Sequence, residues 1–446
     1  MEVERYKQHK VIRYIKRKIF YHKSLVEKNK ACRILVVLHL FYEKSWIEIN
    51  EYLKNLSPYC FDLIITVTKD RISQETIHSI KKLYPSVQIR VAENKGYDLL
   101  PFLCVIENVD LGKYDIVFKL HSKSTKRNYI YIYKQLFLRR DWFVNLYEGI
   151  LSAKNVHKTI DILYNQQEPG LVAAKNLIIQ DPKHKVNMIQ EIAESRNLTF
   201  RRDYFFVAGT CFAVKSECLK PIQSLHFEKN EFAPMVPSRG MSFAHFVERY
   251  ICISVLLQGY SMKGNSANSV RRFLLQPITL LMNRMSSERL LHEDIFLDDK
   301  WFYWQMENRL IIYKFIQMKF RDMKCSYRNQ VISLADGAPY KYISEGDTAG
   351  YEAYCKYHAA NGLPLMTKER FDHLIKAIEE TGYDERNVIL INSQNGLLDG
   401  QHRACVLANK YGLDSNVRVL KIWEFREMKY LLKKRIKKLV NALRAH

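Results

Sequence analysis

The amino-acid sequence predicts an α/β protein: a mostly parallel sheet with flanking helices, then a helical linker, then a small α+β domain. Residues 33–40 form a continuous apolar run, which is typical of a strand buried on both faces. Similar runs alternate with segments of helical periodicity as far as about residue 120, and this alternation favours a parallel sheet. The composition changes from about residue 331, which indicates a second domain.

The predicted sheet and its helices occupy the first 260 residues. Strands are expected at residues 33–40, 61–67, 87–91, 114–120, 170–174 and 205–214, and helices at 46–56, 76–83, 99–107, 143–153 and 243–258. Gly209 lies inside the last strand pattern, where a glycine often marks the close approach of a ligand. Ligands of parallel sheets bind at the carboxyl ends of the strands, so polar residues that follow these strands are site candidates.

The second half of the chain is predicted to begin with a basic, aromatic-rich helical linker. After it we expect a helix at residues 371–381, strands at 387–392 and 417–422, and a loop at 396–403 that opens a helix reaching Lys410. The predicted domains are therefore a basic N-terminal helix (1–32), an α/β domain (33–268), a helical linker (269–330), an α+β domain (331–425) and a basic amphipathic C-terminal helix (426–446).

The positive charge is concentrated at the two ends of the chain. Residues 1–33 carry 11 Lys/Arg and 3 Glu, and residues 426–446 carry 8 Lys/Arg and 1 Glu, so the ends hold +15 of the net charge of +23. The apolar positions of the C-terminal segment repeat at helical spacing, with most lysines off that stripe, which suits an anionic membrane surface. A solvated or domain-packing helix is the alternative. Nucleic-acid binding is a third interpretation, but no recognised motif supports it.

Other bulk features exclude several classes of protein. No stretch of 18 or more apolar residues occurs, so no transmembrane helix is expected. The sequence after Met1 lacks the apolar core of a signal peptide. The nine cysteines form no CxxC pair, which indicates reduced thiols in a cytosol and neither a disulfide framework nor a zinc site.

The most informative cluster follows the strand predicted at 114–120. That strand runs directly into Lys119, His121 and Lys123, and a second polar cluster, Asn94-Lys-Gly96-Tyr-Asp98, lies upstream. Three cationic or potentially cationic groups at one strand end repel each other if they are unpaired, so an anionic partner is expected. A diphosphate is the natural candidate.

Six short motifs stand in order along the first domain. They are His39 with Tyr42, Asn94-x-Gly96-x-Asp98-x-x-Pro101, Lys119-x-His121-x-Lys123, Arg140 with Trp142, Gly209-Thr210, and His245-x-x-Glu248-Arg249. On these motifs, residues 33–265 resemble the rhamnan synthesis protein F family of glycosyltransferases for bacterial cell-surface polysaccharides. The order also resembles the GT-A nucleotide-sugar transferase sheet, in which the strand at 114–120 would normally end in an Asp-x-Asp metal site.

The residues depart from the GT-A pattern at that metal position. Lys-Leu-His-Ser-Lys offers no carboxylate pair for a divalent cation. Fixed cations can stabilise a departing diphosphate electrostatically, so we expect transfer without metal or other cofactor, with Lys119 and His121 as catalytic groups and Lys123 beside them. Glu248 is the expected general base, the alternative being a carboxylate that only complements the helix dipole.

The resemblance also implies binding residues. Donor contacts are expected from Asn94, Gly96, Asp98, Lys123, Gly209 and Thr210, and acceptor contacts from His245, Arg249 and Trp142. Trp142 is as well explained as a core residue, and His245 as a buttress for Glu248. The implied reaction moves a sugar, with rhamnose suggested by the family name, from a nucleotide sugar such as dTDP-rhamnose to a lipid-linked glycan.

A second resemblance covers about residues 339–423. Leu398-Asp-Gly-Gln-His-Arg403, set between a strand and a helix, is similar to a motif of the ParB/sulfiredoxin-like nucleotide-binding fold. Gly400 permits a tight turn, the helix N-terminus favours phosphate, and Arg403 can clamp it. The resemblance implies nucleotide contacts from Asp399, Gly400, Gln401, His402 and Arg403, with Gly346, Asp347 and Tyr351 lining the same pocket. The ligand would be ATP or another nucleotide, with Mg²⁺.

Together the patterns predict a cytoplasmic bacterial glycosyltransferase on the inner face of the cell membrane. Its partners would be the sugar nucleotide, the lipid-linked glycan, the anionic membrane surface and other polysaccharide-assembly enzymes, and not nucleic acid. The C-terminal domain would be a kinase, a nucleotide hydrolase or a sensor. The alternative is an inactive transferase fold that acts as a nucleotide-sensing regulator of polysaccharide synthesis.

Overall fold

A computed structural model describes residues 23–124, 129–132, 135–232, 242–266, 270–297, 306, 309–328, 330–360 and 366–425. Contacts divide the chain into two units, Met1–Gln276 and Pro277–His446, and the division falls inside the segment predicted as a linker. The first unit holds the larger core, and the second unit holds two smaller clusters of buried side chains. Within the part of the chain that the structure describes, no helix combines the length and the apolar character needed to cross a membrane.

The first unit is built on a seven-stranded sheet. The strands of this unit are β1 (Arg33–Leu40), β2 (Cys60–Thr68), β3 (Gln88–Ala92), β4 (Ile116–His121), β5 (Tyr129–Ile132), β6 (Gln135–Leu138), β7 (Pro169–Ala174), β8 (Ile178–Ile179), β9 (Phe206–Val207), β10 (Phe212–Lys215) and β11 (Ser261–Asn265). Two pairs, β5 with β6 and β8 with β9, form small sheets of their own. The strand order of the large sheet is β11-β7-β10-β4-β1-β2-β3. All neighbours are parallel except for β10, which runs antiparallel to both β4 and β7. The prediction of a mostly parallel sheet is confirmed.

The helices of the first unit connect these strands. They are α1 (Trp46–Leu53), α2 (Gln74–Leu83), α3 (Leu99–Ile106), α4 (Arg139–Leu151), α5 (Val156–Asn165), α6 (Lys183–Glu194), α7 (Lys220–Gln223) and α8 (Phe243–Leu257), and α9 (Val270–Arg284) crosses the division. Ser73 caps α2 by accepting a hydrogen bond from the backbone N–H of Thr76 at 3.2 Å. Gly259, with φ of +85°, follows the end of α8 as expected.

One predicted strand is broken in the structure. The segment expected as a single strand at 205–214 forms β9 and β10, because Gly209 (φ +81°) and Thr210 (φ +53°) turn the chain between them. A positive φ is uncommon for a β-branched residue such as threonine. The turn is therefore a strained feature, and such features concentrate at functional sites.

The two basic ends lie largely outside the described residues. Of the N-terminal helix predicted at 1–32, residues 23–28 are described and helical. Leu25 is buried, and Lys28 Nζ donates to Asp161 Oδ1 at 2.9 Å, so this end packs on the first unit. The helix predicted at 426–446 falls outside the described residues, so its amphipathic character stays a prediction.

Among its described residues, the second unit contains a four-stranded mixed sheet, a hairpin and several helices. Its elements are β12 (Ile311–Lys319), β13 (Lys324–Tyr327), β14 (Gln330–Ser333), α10 (Ala338–Glu345), α11 (Thr348–Ala360), α12 (Lys368–Thr381), β15 (Ile389–Ile391), β16 (Leu397–Asp399), α13 (Gln401–Tyr411) and β17 (Asn416–Glu424). The sheet order is β12-β17-β15-β16. The ParB/sulfiredoxin-like assignment of this unit stays a prediction.

The prediction of a helical linker over 269–330 is wrong in its second half. β12 pairs antiparallel with β17 over nine positions, so Ile311–Lys319 belongs to the sheet of the second unit. Ile311 is buried, whereas Ile312 is 49% exposed, and this change of face between neighbours is typical of a strand. Apolar side chains on the exposed face hide that alternation in the sequence.

Candidate functional site

The candidate site lies at the carboxyl end of β4, where four separate segments meet. Lys119 and His121 belong to β4, and His121 pairs in register with His39 at the end of β1. Asp98 directly precedes α3 and Gly209 precedes β10. The sequence prediction that the polar residues after the strands come together is supported by this arrangement.

Asp98 is the centre of a buried ionic cluster. The ammonium group of Lys119 forms a short ion pair with the Asp98 carboxylate and donates to the Thr210 carbonyl oxygen at 3.1 Å. The Thr210 hydroxyl donates to Asp98 Oδ2 at 2.5 Å, and His121 Nδ1 lies 3.2 Å from Asp98 Oδ1. Burial opposes ionisation of Asp98, but the charges of His121, Lys119 and Lys123 outweigh it and hold its pKa well below the usual range.

The anionic partner expected for the strand-end cations is, for Lys119 and His121, the protein's own Asp98 and not a diphosphate. The Lys119 side chain is 1% exposed and is neutralised by Asp98. Burial lowers the pKa of His121, although Asp98 raises it in opposition, and His121 Nε2 lies 2.5 Å from the Gly209 carbonyl oxygen. Asp98, expected as a donor contact, is thus engaged by the protein itself. Lys123 is half-buried and is the cation of this group that reaches the surface.

Glu248 occupies a second buried cluster on the other side of the Gly209 turn. Its Oε1 accepts a hydrogen bond from the Gly209 N–H at 3.2 Å, and its Oε2 forms a short ion pair with Arg249. Burial raises the pKa of Glu248 against the opposing effect of Arg249. A buried carboxyl with a raised pKa takes up a proton near neutral pH more readily than an exposed one, as a general base must.

Asp98 and Glu248 are therefore carboxyl groups whose pKa values are shifted in opposite directions. Asp98 stays ionised because cations surround it, whereas the proton affinity of Glu248 is raised by burial. Such a separation is typical of sites in which two acids have different roles. The backbone of Gly209 joins the two clusters, since its N–H contacts Glu248 and its carbonyl oxygen contacts His121.

His245 lies on α8 three residues before Glu248 and has a defined tautomer. Its Nδ1 accepts a hydrogen bond from the backbone N–H of Ser242 at 3.1 Å, so the neutral ring carries its proton on Nε2. Burial, with the nearby charges of Arg249 and Lys185, lowers the pKa of His245 to about 3. The ring lies beside Tyr97, with centroids 5.8 Å apart. A neutral imidazole that donates a hydrogen bond can orient a sugar hydroxyl.

The remaining predicted site residues differ in their access to a ligand. Asn94 is exposed, and Gly96 (φ +61°) is buried where an added methyl group would collide with Phe232. Trp142 is 7% exposed and packs under the turn, because a methyl group on Gly209 would lie 2.9 Å from its ring. This contact favours the core interpretation of Trp142 over the acceptor interpretation.

Sequence reasoning missed Asp181, Lys185 and Tyr204. Asp181 is buried directly before α6 and accepts hydrogen bonds from Arg249 Nε at 2.8 Å and from the Tyr204 hydroxyl at 2.9 Å. Lys185 Nζ lies 3.9 Å from the same carboxylate. No helix is predicted at 183–194, so the sequence gives no signal that Asp181 lies near Glu248.

Metal-ligand clusters are not found in the described parts of the chain, where no three His, Cys, Asp or Glu side chains are arranged to hold a metal ion. The carboxyl end of β4 presents Lys119 and His121 where an Asp-x-Asp pair was the GT-A expectation. Transfer without metal therefore stays a proposal, supported by the residues that occupy this position.

The Asp399–Arg403 motif of the second unit is a compact turn at the start of α13. Gly400 has φ of +81°, and Arg403 Nη2 donates to Asp399 Oδ2 at 3.0 Å and to the Val388 carbonyl oxygen at 3.1 Å. Arg403, expected to clamp phosphate, is thus bonded within the protein. Its Nε is buried without a hydrogen-bond partner among the described residues.

The neighbours of the motif are mainly aromatic. His402 Nε2 lies 3.0 Å from the Tyr351 hydroxyl and its ring contacts Phe371 edge-on at 4.6 Å. Burial lowers the pKa of His402 to about 3, with the charges of His358 and Arg403 acting in the same direction. Gln401 accepts a hydrogen bond from the Tyr354 hydroxyl at 3.3 Å. The expectation that Tyr351 lies beside the motif is supported by these contacts.

The loop expected to line the same pocket forms a helix boundary. Gly346 has φ of +72° after α10, and Asp347 Oδ1 accepts a hydrogen bond from the Gly350 N–H at 2.9 Å at the start of α11. Both residues therefore have a structural explanation, and their contact with a nucleotide stays a prediction.

Comparisons with known proteins were made for sequence and for structure. A family model described as rhamnan synthesis protein F matches residues 3–260. Two curated relatives, both named uncharacterized protein WxcX and from two strains of Xanthomonas campestris pv. campestris, are 24% identical over 235 residues. This match covers 50% of the chain and 32% of each relative, so the chain spans about a third of their length.

Two similar solved structures are glycosyl-transferring enzymes. One is a glucosyl-3-phosphoglycerate synthase from Mycobacterium tuberculosis in complex with Mn²⁺, UDP and phosphoglyceric acid, with 12% identity, a TM-score of 0.28, and coverage of 66% of this chain and 87% of that one. The other is the mannosyltransferase PcManGT from Pyrobaculum calidifontis in complex with GDP-Man and Mn²⁺, with 9% identity, a TM-score of 0.27, and coverage of 88% and 94%. At these TM-scores the likeness supports no inference about ligand or metal.

Proposed function

The chain belongs to the rhamnan synthesis protein F family, and from that premise we propose that its first unit is a glycosyltransferase of polysaccharide synthesis. The unit transfers a sugar from a nucleotide-sugar donor to a lipid-linked glycan, and the family name suggests that the sugar is rhamnose. The observation that carries the proposal is the pair of buried clusters on either side of the Gly209 turn: one fixes cations at the end of β4 and the other holds Glu248.

Glu248 is proposed as the general base that takes the proton of the acceptor hydroxyl. Burial raises its pKa, and each of its two oxygens already has one fixed partner, so the direction of its remaining lone pairs is set. His245 donates a hydrogen bond from its Nε2–H to an oxygen of the acceptor and keeps its proton, and Arg249 contacts Glu248 and not the acceptor. This revised role for Arg249 follows from its burial.

Lys123 is proposed to stabilise the departing diphosphate without a metal, while His121, held between Asp98 and the Gly209 carbonyl oxygen, fixes the shape of this strand end. Lys123 is half-buried, whereas Lys119 is buried behind it and bound by Asp98. Lys119 is neutralised by Asp98, so among the described residues of this strand end Lys123 supplies the fixed charge that can stabilise a developing anion without reorganisation. Asn94, Gly96 and the Gly209-Thr210 turn form the donor side of the site.

The second unit is proposed to bind ATP or another nucleotide with Mg²⁺ at the start of α13, as a kinase acting on the glycan or as a sensor. Support comes from the Gly400 turn and the Arg403 Nε that has no partner within the described residues. The basic ends would hold the protein on the inner face of the cell membrane, close to other polysaccharide-assembly enzymes.

Sugar transfer by the purified full chain tests the proposal. The chain is incubated with a panel of sugar nucleotides and a lipid-linked acceptor, with EDTA or with Mn²⁺, and nucleoside diphosphate release is measured. We expect release with EDTA present and a fall of about 10²–10⁴-fold in Glu248→Gln. Glu217→Gln is the matched control, because Glu217 is an exposed carboxylate of the same unit.

The competing function is an inactive transferase fold that senses nucleotide. It predicts that Glu248→Gln and Lys123→Met leave nucleoside diphosphate release at the background rate of the wild-type chain, and that polysaccharide production in cells is unchanged by either variant. Release that requires added metal would contradict the metal-free part of the proposal.

A further inference from the structure

Asp181 is a buried carboxylate that none of the sequence motifs includes. Its side chain is 2% exposed, and it lies before Pro182 at the start of α6. Oδ2 accepts hydrogen bonds from Arg249 Nε at 2.8 Å and from the Tyr204 hydroxyl at 2.9 Å, and Oδ1 accepts from Arg249 Nη2 at 3.3 Å. Three donors on one buried carboxylate form a rigid arrangement.

Arg249 is shared between Asp181 and Glu248. Two nitrogens of its guanidinium group face Asp181, and the third, Nη1, forms the short ion pair with Glu248. The guanidinium also packs over the Phe206 ring at 3.9 Å from the centroid. Because the group is planar, binding one edge to Asp181 sets the direction of Nη1.

Charged and titratable groups face both carboxylates from several elements. Those around Glu248 are Arg249 and Cys252 on the same helix, Asp98 before α3 and Lys123 after β4. Those around Asp181 are Arg249 and His245 on α8, Lys185 on α6, and Tyr204. Arg249 is the cation that belongs to both groups.

We propose that Asp181 is the positioning residue of the transferase site: it holds the Arg249 guanidinium so that a single N–H meets Glu248 and the positive charge is divided between two carboxylates. This inference rests on the proposed function of Glu248 as the base. An arginine that faced Glu248 alone would stabilise its carboxylate more strongly and weaken it as a proton acceptor. Asp181 therefore keeps Glu248 able to accept the proton of the substrate.

Direct titration of Glu248 tests the inference without any assumption about the substrate. The full chain is labelled with [δ-¹³C]glutamate, and the Glu248 signal is assigned by its loss in Glu248→Gln. In Asp181→Asn the amide oxygen still accepts from Arg249 but carries no charge. We expect the pKa of Glu248 to fall by about one unit, while Asp203→Asn, which removes an exposed carboxylate paired with Arg201, leaves it unchanged.

The pH dependence of sugar transfer is the second measurement. In Asp181→Asn the acidic limb of the rate profile moves to lower pH together with the Glu248 titration, the plateau rate falls several-fold and KM is unchanged. If the Glu248 pKa shifts in Asp181→Asn but the wild-type chain transfers no sugar, the role of Asp181 is supported and the proposed function is rejected. A purely structural role for Asp181 would lower stability and leave the titration in place.

The double variant Asp181→Asn/Lys185→Gln preserves the test if the single variant does not fold, because it removes one buried negative and one buried positive charge. A smaller fall in the Glu248 pKa is expected in the double variant, because loss of the Lys185 charge acts in the opposite direction. An unchanged Glu248 titration in folded Asp181→Asn, or in the double variant where the single variant does not fold, or an equal shift in Asp203→Asn, would overturn the inference.

Discussion

The Asp98–Lys119 pair of the first unit and the Asp399–Arg403 pair of the second unit use the same chemistry in different surroundings. Asp98 and Lys119 are 21 residues apart, with side chains 10% and 1% exposed. Asp399 and Arg403 are four residues apart, with side chains 29% and 21% exposed. The first pair is held by the tertiary fold, and the second spans the Gly400 turn between β16 and α13. The degree of burial, and not charge alone, therefore decides how much stability is lost when each pair is broken.

Replacing Asp98 is the change with the largest expected effect. Asp98→Asn leaves the Lys119 ammonium buried with the Thr210 carbonyl as its neighbour and no countercharge. Breaking a buried ion pair on one side costs about 3–5 kcal/mol. Urea unfolding of the full chain, fitted with one transition for each unit, should show this loss in the first unit.

The double variant Asp98→Asn/Lys119→Met is the matched control for that prediction. It removes both charges and keeps the volume of the lysine stem, so most of the lost stability should return. If the single and the double variant are equally unstable, the loss comes from packing around Asp98 and the ion pair is not its cause.

Alanine at the two turn glycines is expected to have an intermediate effect that differs between the units. Gly209 and Gly400 both have φ of +81°, so each substitution carries about 1–2 kcal/mol of backbone strain. A methyl group at Gly209 would also lie 2.9 Å from both Leu146 and Trp142, which are buried. At Gly400 it would lie 3.0 Å from the Arg403 guanidinium, the far end of a flexible side chain.

Gly209→Ala should therefore destabilise its unit by about 1–3 kcal/mol more than Gly400→Ala does. It should also abolish sugar transfer, because the Gly209 backbone contacts both Glu248 and His121. Thermal unfolding of both variants with a transfer assay provides the measurement. If the two variants lose the same amount of stability, the side chains around Gly209 can move to accept the methyl group.

The two sites also differ in how far the sequence predicts them. β1 occupies Arg33–Leu40, the range that its apolar run predicts, and β4 ends at His121 beside the predicted cations. The positions of both strands follow from the local pattern of apolar and polar residues. The sequence does not predict that Asp98 neutralises Lys119, or that Asp181 binds Arg249 from 68 residues away, because these contacts depend on the packing of α3, α6 and α8.

The Asp399–Arg403 motif is predicted from the sequence more fully than the first site. Its residues are neighbours in the chain, so the turn at Gly400 and the helix that follows are predicted from the sequence alone, but the predicted loop at 396–403 is wrong in part because it contains β16 and the start of α13. What the sequence does not show is that Arg403 already donates to Asp399 and to the Val388 carbonyl. β12 is missed for a related reason: its partner β17 lies about 100 residues further on, and only that pairing makes it a strand of the sheet.

Asp399→Asn is expected to have the smallest effect on stability. The pair is partly exposed and joins residues four apart across the Gly400 turn, so its loss costs about 0.2–1 kcal/mol. Nucleotide binding should respond much more strongly. Removing the Asp399 charge leaves Arg403 with the Val388 carbonyl as its described partner, and a phosphate can then compete for the guanidinium with less opposition.

ATP binding with Mg²⁺ by the full chain should therefore tighten in Asp399→Asn and be lost in Arg403→Gln, measured by calorimetry. Arg386→Gln removes an exposed arginine of the same unit that pairs with Asp384, and it should leave binding unchanged. If Asp399→Asn lowered the free energy of unfolding by about 3 kcal/mol or more, as the loss of a buried pair does, the expected difference between the Asp399 and Asp98 pairs would be wrong. Failure of every variant and the wild-type chain to bind ATP, CTP or GTP would instead leave Asp399 and Arg403 with a structural role, capping the helix that follows β16.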